Sequence, residues 1–321
     1  MTDKRVALVL GATGGIGSEV AGALGRNGWE VRALHRSVAA AQQRSGVPRG
    51  ISWMEGDVMR PRDVVEAARG ASVIVHAVNP PGYRNWAGLV LPMLASTIAA
   101  ARAAGARILL PATVYNYGPD AFPVLREDSA QNPQTRKGAI RVEMERRLQQ
   151  ASESGVRALI VRAGDFFGPV AGNNWFSRGL VKPGHAVDAI TYPGRPGVGH
   201  AWAYLPDLAE TMVRLLEREA SLAPFETLHF HGHWDSTGGD IVESIRRVSG
   251  NPTARVRRFP WPLVTLASPF VTLFREMMEM RYLWREPLQL SNERLVRVLG
   301  AEPHTPLDTA VRNTLAGLGC L

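Results

Sequence analysis

The segment VLGATGGIG, residues 9–17, decides the fold of this chain. It follows the apolar run RVALVL at 5–10 and precedes a stretch with apolar residues at helical spacing. Its glycines, Gly11, Gly14 and Gly17, allow a sharp turn, a close approach of a pyrophosphate to the backbone, and tight packing of helix on strand. A helix that begins after such a turn presents free N–H groups to phosphates. The segment therefore predicts a dinucleotide-binding strand–turn–helix unit.

Outward from this segment, short apolar runs alternate with helical patterns through the first 165 residues. The runs lie at 5–10, 29–34, 50–55, 72–78, 107–113 and 156–163. Such alternation predicts an α/β fold, a Rossmann-type doubly wound parallel sheet with helices on both faces. After residue 165 the chain is rich in Gly, Pro and Asn before helical and strand patterns return.

The change of pattern near residue 165 predicts two parts. The expected nucleotide-binding Rossmann domain covers 1–165, and 201–248 returns to it because a helix–strand–helix pattern resumes there. The expected smaller, C-terminal substrate-binding region combines 166–200 with 249–321.

Composition and charge exclude several classes of function. The 321 residues carry a formal net charge of +8, almost all of it from arginine, which favours anionic ligands. No run of five basic residues or nucleic-acid motif is present, so no nucleic-acid partner is expected. The apolar stretch 261–274 is too short and too proline-interrupted to span a bilayer, so no membrane partner is expected either. A strand pattern at the very N-terminus and a single cysteine, Cys320, predict a cytoplasmic protein.

Four motifs follow one another in the order of a known family. They are GATGGIG at 11–17, GDV at 56–58, HAVNPP at 76–81 and ATVYNYG at 112–118. Together they resemble the extended or atypical short-chain dehydrogenase/reductases, which include sugar-nucleotide epimerases and dehydratases. RAGDFFGP at 162–169 and AWAYLPDLAET at 201–211 extend the resemblance over most of the chain. The set is specific to the superfamily and not to one substrate.

Cofactor choice follows from charge at the end of the second strand. NAD-binding relatives keep an acidic residue there that bonds the ribose hydroxyls. Here the position is His35, followed by Arg36. A guanidinium can grip a 2′-phosphate bidentately, so the sequence favours NADP over NAD, with a solvated strand-end charge as the alternative for Arg36.

The resemblance also implies further cofactor contacts. Asp57 matches the position that contacts the adenine amino group, although a helix-capping role would explain it too. The other implied contacts are Thr13, Gly15, Ile16 and Val58, with Ala77, Val78 and Asn79 on the ribose and nicotinamide side.

At the catalytic position the pattern of the family is broken. Relatives carry a Ser or Thr after the fifth strand and Tyr-x-x-x-Lys on the next helix, where the Tyr transfers the proton and the Lys lowers its pKa. Thr113 matches the hydroxyl position, but Lys137 and Arg141 stand where the Tyr and the Lys belong. Lys137 and Arg141 are both expected to face the bound dinucleotide. Arg141 can hold ribose or phosphate oxygens but cannot accept a proton.

Three alternatives remain for the proton. Lys137 could supply it, because a nearby arginine and partial burial would both lower its pKa. Tyr115 or Tyr117 of the VYNYG segment could supply a phenol instead. Otherwise the site binds NADP without running the usual chemistry.

Other residues carry weaker signals. His229, His231 and His233 alternate and would share one face of a strand, but no carboxylate or cysteine cluster completes a ligand shell, so no metal is expected. The positions where relatives keep substrate-facing residues are Trp175, Phe176, His200 and Trp202, which suggests an apolar or ring-bearing substrate.

Two functions fit this sequence. The first is an NADP-dependent oxidoreductase or epimerase/dehydratase-like enzyme acting on a small carbonyl or alcohol. The second is a non-catalytic NADP-binding sensor, which the missing tyrosine favours. By family habit, either protein is expected to be a homodimer.

Overall fold

A seven-stranded parallel sheet forms the centre of the computed structural model, which describes residues 5–44, 46–80, 85–170, 172 and 174–321 and, of Thr272 and Leu273, the backbone only. The strands lie in the order β11-β7-β5-β4-β1-β2-β3. Their bounds are β1 Val6–Leu10, β2 Glu30–His35, β3 Ser52–Glu55, β4 Val73–His76, β5 Arg107–Ala112, β7 Ala158–Arg162 and β11 Phe225–His229. The chain reverses its direction of winding between β1 and β4, which is the order of a doubly wound sheet. The predicted fold class is confirmed.

Helices cover both faces of this sheet. They are α1 Gly15–Arg26, α2 Val38–Gln42, α3 Pro61–Ala67, α4 Trp86–Ala104, α5 Arg136–Glu153 and α6 Leu205–Glu217. Alternate residues of β1 point to opposite faces, so Ala7 and Val9 pack with α1 and α6 while Leu8 packs with α3, α4 and α5. The site discussed below lies at the carboxyl edge of these strands.

The helix α4 is long and apolar enough, by length and composition alone, to cross a membrane. In this fold it packs between α3 and α5. Val90, Leu94 and Ala101 belong to the core on that face of the sheet. The helix is therefore an integral part of the helical layer.

The remaining elements form a second, smaller region. Its strands are β6 Val124–Leu125, β8 Asp165–Phe167, β9 Ala189–Tyr192, β10 His200–Tyr204, β12 His233–Asp235, β13 Arg255–Arg258 and β14 Gln289–Leu290. Its helices are α7 Asp240–Val248, α8 Trp261–Ala267, α9 Thr272–Glu279 and α11 Leu307–Gly317, with a π-helical turn at Phe176–Leu180. The helix α10 Glu293–Leu299 packs instead on α6 and β11, and its Leu295 lies in the core of the central sheet.

The helix α7 departs from the predicted division of the chain. The structure packs α6 on α1 and β11 on the edge of the sheet, but α7 packs on α11. Ile241 and Ile245 lie in the core of the second region. The apolar face of α7 thus belongs with the C-terminal part, whereas its place in the chain suggested the Rossmann domain.

Candidate functional site

The predicted phosphate contacts lie in the glycine turn between β1 and α1. The Gly14 amide donates to the Gly11 carbonyl at 2.9 Å, and α1 begins at Gly15. Gly11 has a φ of 92°, and a Cβ there would lie 2.5 Å from the Ala77 carbonyl oxygen. A Cβ on Gly17 would overlap the Gly11 carbonyl oxygen. The two glycines therefore bring strand, turn and helix closer together than any side chain would allow. Thr13 and Ile16 are half-buried in the same unit.

The two residues that are predicted to select the cofactor, His35 and Arg36, lie at the end of β2. His35 Nδ1 lies 2.7 Å from the Ser37 carbonyl oxygen, and its ring is edge-on to Trp53. Arg36 is exposed, and it makes no ion pair within the described part of the chain. A guanidinium in this position is available to a phosphate on the ribose.

Asp57 has a structural contact of its own. Its Oδ1 accepts from the Met59 amide at 3.0 Å, and its amide donates to Asp63 Oδ2 at 2.9 Å. These bonds lie in the turn before α3, whose N-cap is Arg60, so Asp57 does not cap that helix. The adenine contact stays a prediction, as does that of the half-buried Val58.

The residues that are predicted on the nicotinamide side of the cofactor directly follow β4. The Ala77 amide donates to the Leu10 carbonyl at 2.9 Å, and Val78 and Asn79 come next in the chain. Arg141 Nη2 donates to Asn79 Oδ1 at 3.3 Å. The Arg141 guanidinium also lies 5.1 Å from the centre of the Trp86 ring. This part of the site is held together by a buried arginine on α5.

Lys137 lies one helical turn before Arg141. Its ammonium donates to the Glu276 carbonyl oxygen at 2.8 Å and pairs with Glu276 Oε2 at 2.7 Å. Its amide donates to Glu279 Oε2 at 3.3 Å. Burial lowers the pKa of Lys137, and Glu276 acts in the opposite direction. The contacts of Lys137 with these two glutamates, which belong to α9, were not predicted from the sequence.

Thr113 follows β5 with its hydroxyl buried and without a hydrogen-bond partner within the described residues. Its carbonyl oxygen accepts from Arg162 Nη1 at 2.5 Å. Arg162 also holds both oxygens of Glu145, at 2.8 and 2.7 Å. Gln131 adds a bond to Glu145 at 3.0 Å. This buried network fixes the backbone that presents the Thr113 hydroxyl.

The two tyrosines of the VYNYG segment have different surroundings. Tyr117 is fully buried, its hydroxyl lies 3.4 Å from His229 Nε2, and the Arg162 guanidinium lies 5.0 Å from its ring centre. Burial raises the pKa of Tyr117. The burial and the raised pKa disfavour Tyr117 as proton donor. Tyr115 is half-buried against the cluster that includes Val114 and Tyr117, and its phenol stays an alternative.

His76, the last residue of β4, is a site residue that sequence reasoning missed. Its Nδ1 lies 2.8 Å from Thr97 Oγ1, which itself donates to the Met93 carbonyl at 3.1 Å. Nδ1 must therefore carry the proton. Burial first, and the charge of Arg141 second, lower the pKa of His76 to about 3. The signal in the sequence was its place at the carboxyl end of a strand.

Three buried neutral histidines make the fold sensitive to acid. Burial lowers the pKa of His76 and His229 to about 3 and that of His233 to about 4. Below about pH 6.5 the unfolded chain takes up protons that the folded chain does not, so the free energy of unfolding decreases as the pH is lowered. Each group contributes a slope of about 1.4 kcal/mol per pH unit down to its folded pKa.

We therefore expect His229→Gln to flatten the pH dependence of the unfolding free energy by about 1.4 kcal/mol per unit between about pH 6 and about pH 4. Denaturant titrations across this range measure it. The matched control is His185→Gln at an exposed position, which should leave the slope unchanged because that imidazole is in solvent in both states. Equal slopes for His229→Gln and the unchanged protein would contradict the account.

The predicted histidine row is divided between elements. β11 ends at His229 and β12 begins at His233, so the three residues do not lie on one strand. His231 Nδ1 lies 2.7 Å from the Leu290 carbonyl, and His233 packs on His304 with ring centres 4.6 Å apart. Within the described residues no three potential metal ligands come together.

A cavity of about 700 Å³ lies in the C-terminal region. Its aromatic wall includes Tyr192 and Trp284. His200 stacks on Trp284 with ring centres 3.9 Å apart and bonds Asp165 Oδ2 at 2.8 Å. Four arginines also line it: Arg195, Arg258, Arg281 and Arg285. Sequence reasoning found His200 but missed this cavity and its arginines.

The other predicted substrate-facing aromatics lie mainly in the core. Phe176 and Trp202 are fully buried. Trp175 packs edge-on against Trp284, at 5.3 Å between ring centres. These three aromatic side chains pack on the buried side of the cavity wall.

A family model describing the NAD dependent epimerase/dehydratase family matches residues 7–228. The chain belongs to the NAD-dependent epimerase/dehydratase family. The matched range includes the glycine turn, Thr113, Lys137 and Arg141. That Lys137 and Arg141 stand in place of Tyr-x-x-x-Lys stays a prediction. The sequence-based resemblance is confirmed.

Solved structures support the fold of this family member. A proposed epimerase from Burkholderia cenocepacia J2315 is 18% identical, with 99% of each chain covered and a TM-score of 0.76. UDP-N-acetylglucosamine 4-epimerase from Bacillus cereus is 14% identical over 98% of this chain and 99% of that one, with a TM-score of 0.75. UDP-glucose 4-epimerase from Bifidobacterium longum, solved with NAD⁺ and UDP, is 14% identical over 98% of each chain, with a TM-score of 0.72. No curated protein matches this chain.

Proposed function

We propose that the protein is an NADP-dependent oxidoreductase or epimerase/dehydratase-like enzyme that acts on a small carbonyl or alcohol, with Lys137 in place of the usual tyrosine. The observation that carries the proposal is the Lys137–Glu276 pair, with Nζ 2.7 Å from the carboxylate. A buried ammonium whose pKa is lowered is a competent acid, and an adjacent carboxylate can take part in its reprotonation.

The surrounding groups fit this division of roles. The buried Thr113 hydroxyl has no partner within the described residues, which suits a group that orients a substrate oxygen. Arg141, bonded to Asn79, suits the ribose-holding role that a lysine plays in relatives. NADP, when bound, would supply or accept the hydride. The aromatic and arginine-lined cavity suits a substrate with an apolar or ring-bearing part.

The preference for NADP rests on the end of β2. His35 and the exposed Arg36 offer the 2′-phosphate a cation and no carboxylate of their own. A structural neighbour was solved with NAD⁺. In Rossmann folds an acidic residue near the end of the second strand bonds the ribose hydroxyls of NAD, and an arginine there accommodates the 2′-phosphate of NADP.

We expect Arg36→Asp to weaken NADPH binding by at least about ten-fold while NADH binding stays the same or improves, because a charge-assisted phosphate contact contributes about 1.5–3 kcal/mol. Fluorescence titration with both cofactors measures the two affinities. The matched control is Arg44→Asp, the same change of charge at an exposed arginine after α2. An unchanged preference in Arg36→Asp would refute the role of Arg36.

Turnover itself is tested by NADPH oxidation against a panel of aldehydes, ketones and quinones. The proposal expects turnover with at least one class of carbonyl. Tight NADPH binding without turnover across the panel would overturn the oxidoreductase form of the proposal.

A non-catalytic sensor is the second candidate, because the same Lys137–Glu276 pair could serve only to hold α9 on α5. In that case Lys137→Arg, which keeps the ion pair, would leave every property of the protein unchanged. The homodimer, the cytoplasmic location and the absence of a nucleic-acid partner stay predictions.

A further inference from the structure

The connection between α8 and α9 exposes large apolar side chains. Leu263, Leu266 and Phe270 are 67%, 75% and 89% exposed. Leu263 and Leu266 lie three residues apart on one side of α8, and Phe270 follows in the turn towards α9. On the other side, Trp261 and Val264 are buried in the C-terminal core. The exposed side is therefore held in a fixed orientation.

Leu263, Leu266, Phe270 and Val271 together form what we call the hairpin face. A single exposed leucine is ordinary, but four apolar side chains within nine residues form a patch of the kind that marks an interaction surface. Pro260, Pro262 and Pro269 are exposed beside them.

Positive charge surrounds the hairpin face. Strand β13, which leads into α8, exposes Arg255, Arg257 and Arg258. Over residues 255–286 the sequence has six arginines and three glutamates. One of those glutamates, Glu276, pairs with the Lys137 ammonium and so does not neutralise the arginines.

The arginine-lined cavity is continuous with the hairpin face, because Pro262 and Leu263 line it. No acidic residue lines it, and its four arginines make no ion pair within the described residues. Arg195, Arg281 and Arg285 line the same cavity, and burial, together with the charges of Arg285 and Arg195, lowers the pKa of Arg281. An anionic group is the natural partner for such a cluster.

We propose that the hairpin face docks the protein on an anionic lipid surface. Exposed Leu and Phe side chains flanked by arginines are the pattern of interfacial membrane attachment. A second copy of this chain is the less favoured occupant. In a two-fold contact the patch would meet itself and bring its arginines together. The inference departs from the sequence-based expectation of no membrane partner, which considered only a spanning segment.

Vesicle co-sedimentation of the full chain tests this docking. The vesicles are phosphatidylcholine alone, or equal parts of phosphatidylcholine and phosphatidylglycerol. We expect binding to the mixed vesicles at low salt that weakens with added salt. We expect Leu266→Ser with Phe270→Ser to lower the partition coefficient by at least about ten-fold, because both side chains lose their apolar contact with the lipid. Arg255→Gln with Arg257→Gln should lower it by about 30-fold, at about 1 kcal/mol per arginine.

The matched control is Leu321→Ser, which removes an apolar side chain that is 58% exposed outside the patch. It should bind as the unchanged protein does. The proposal is overturned if the unchanged protein does not bind the mixed vesicles, or if the Leu266/Phe270 variant binds them equally well. It is also overturned if the Leu266/Phe270 variant differs from the unchanged protein only in its oligomeric state, measured by light scattering, and not in its binding to vesicles. None of these results depends on turnover or cofactor binding, so the docking and the proposed function can fail separately.

Discussion

Lys137→Arg is expected to lower turnover by about 10²- to 10⁴-fold, the usual contribution of a positioned acid. The guanidinium keeps the charge and the pairing with Glu276 but does not release its proton in a protein. Affinity for NADPH should change by no more than a few-fold, because the guanidinium keeps the charge of Lys137 and the other groups expected to bind the cofactor are untouched. Steady-state kinetics on an active panel substrate, with a cofactor titration, measure both quantities.

Two further variants separate catalysis from structure. Lys137→Met leaves Glu276, which is only 14% exposed, without its cation and should also loosen α9. Glu276→Gln keeps a hydrogen-bonding side chain and should shift the pH–rate profile, since the carboxylate acts to raise the pKa of Lys137. If Lys137→Arg turns over normally, Lys137 is not the acid, and Tyr115 becomes the remaining candidate among the predicted donors.

Arg162→Met is expected to destabilise the fold by about 3–5 kcal/mol, because it leaves the Glu145 carboxylate buried without its cation. Glu145 is 7% exposed and Arg162 is fully buried. The double variant Glu145→Met with Arg162→Met should recover much of this loss, since replacing both partners removes the uncompensated charge. Chemical denaturation of the three variants measures the free energies of unfolding.

The helix α5 also supplies a matched control for this prediction. Its exposed pair, Arg146 and Glu143, lies at 2.6 Å. Arg146→Met should cost much less than Arg162→Met, since water already screens that pair. A cost for Arg162→Met as small as for Arg146→Met would contradict the account of the buried network.

The central sheet could be predicted from the sequence because its signals are local. The glycine turn, the strand that precedes it and the helix that follows lie within residues 5–28. The end of β2, with His35 and Arg36, could be located by counting along the same unit. Thr113, Lys137 and Arg141 could be placed because strand ends and helix faces follow from periodicity.

The partners of those residues could not be predicted, because they come from distant parts of the chain. Glu276 reaches Lys137 across 139 residues, and Tyr117 meets His229 across 112. The α7 pattern shows an apolar face but not which core receives it. The arginines of the cavity come from three separate segments, so only the folded chain brings them together.

The most direct test of the central claim is hydride transfer from labelled cofactor. The protein is mixed with NADPH that carries deuterium on the transferring position of the nicotinamide, together with the panel carbonyls, and the products are analysed by mass spectrometry. The account predicts that at least one alcohol product carries the deuterium label and that the label is lost with Lys137→Arg. Tight binding of the labelled cofactor with no labelled product from the unchanged protein would contradict it.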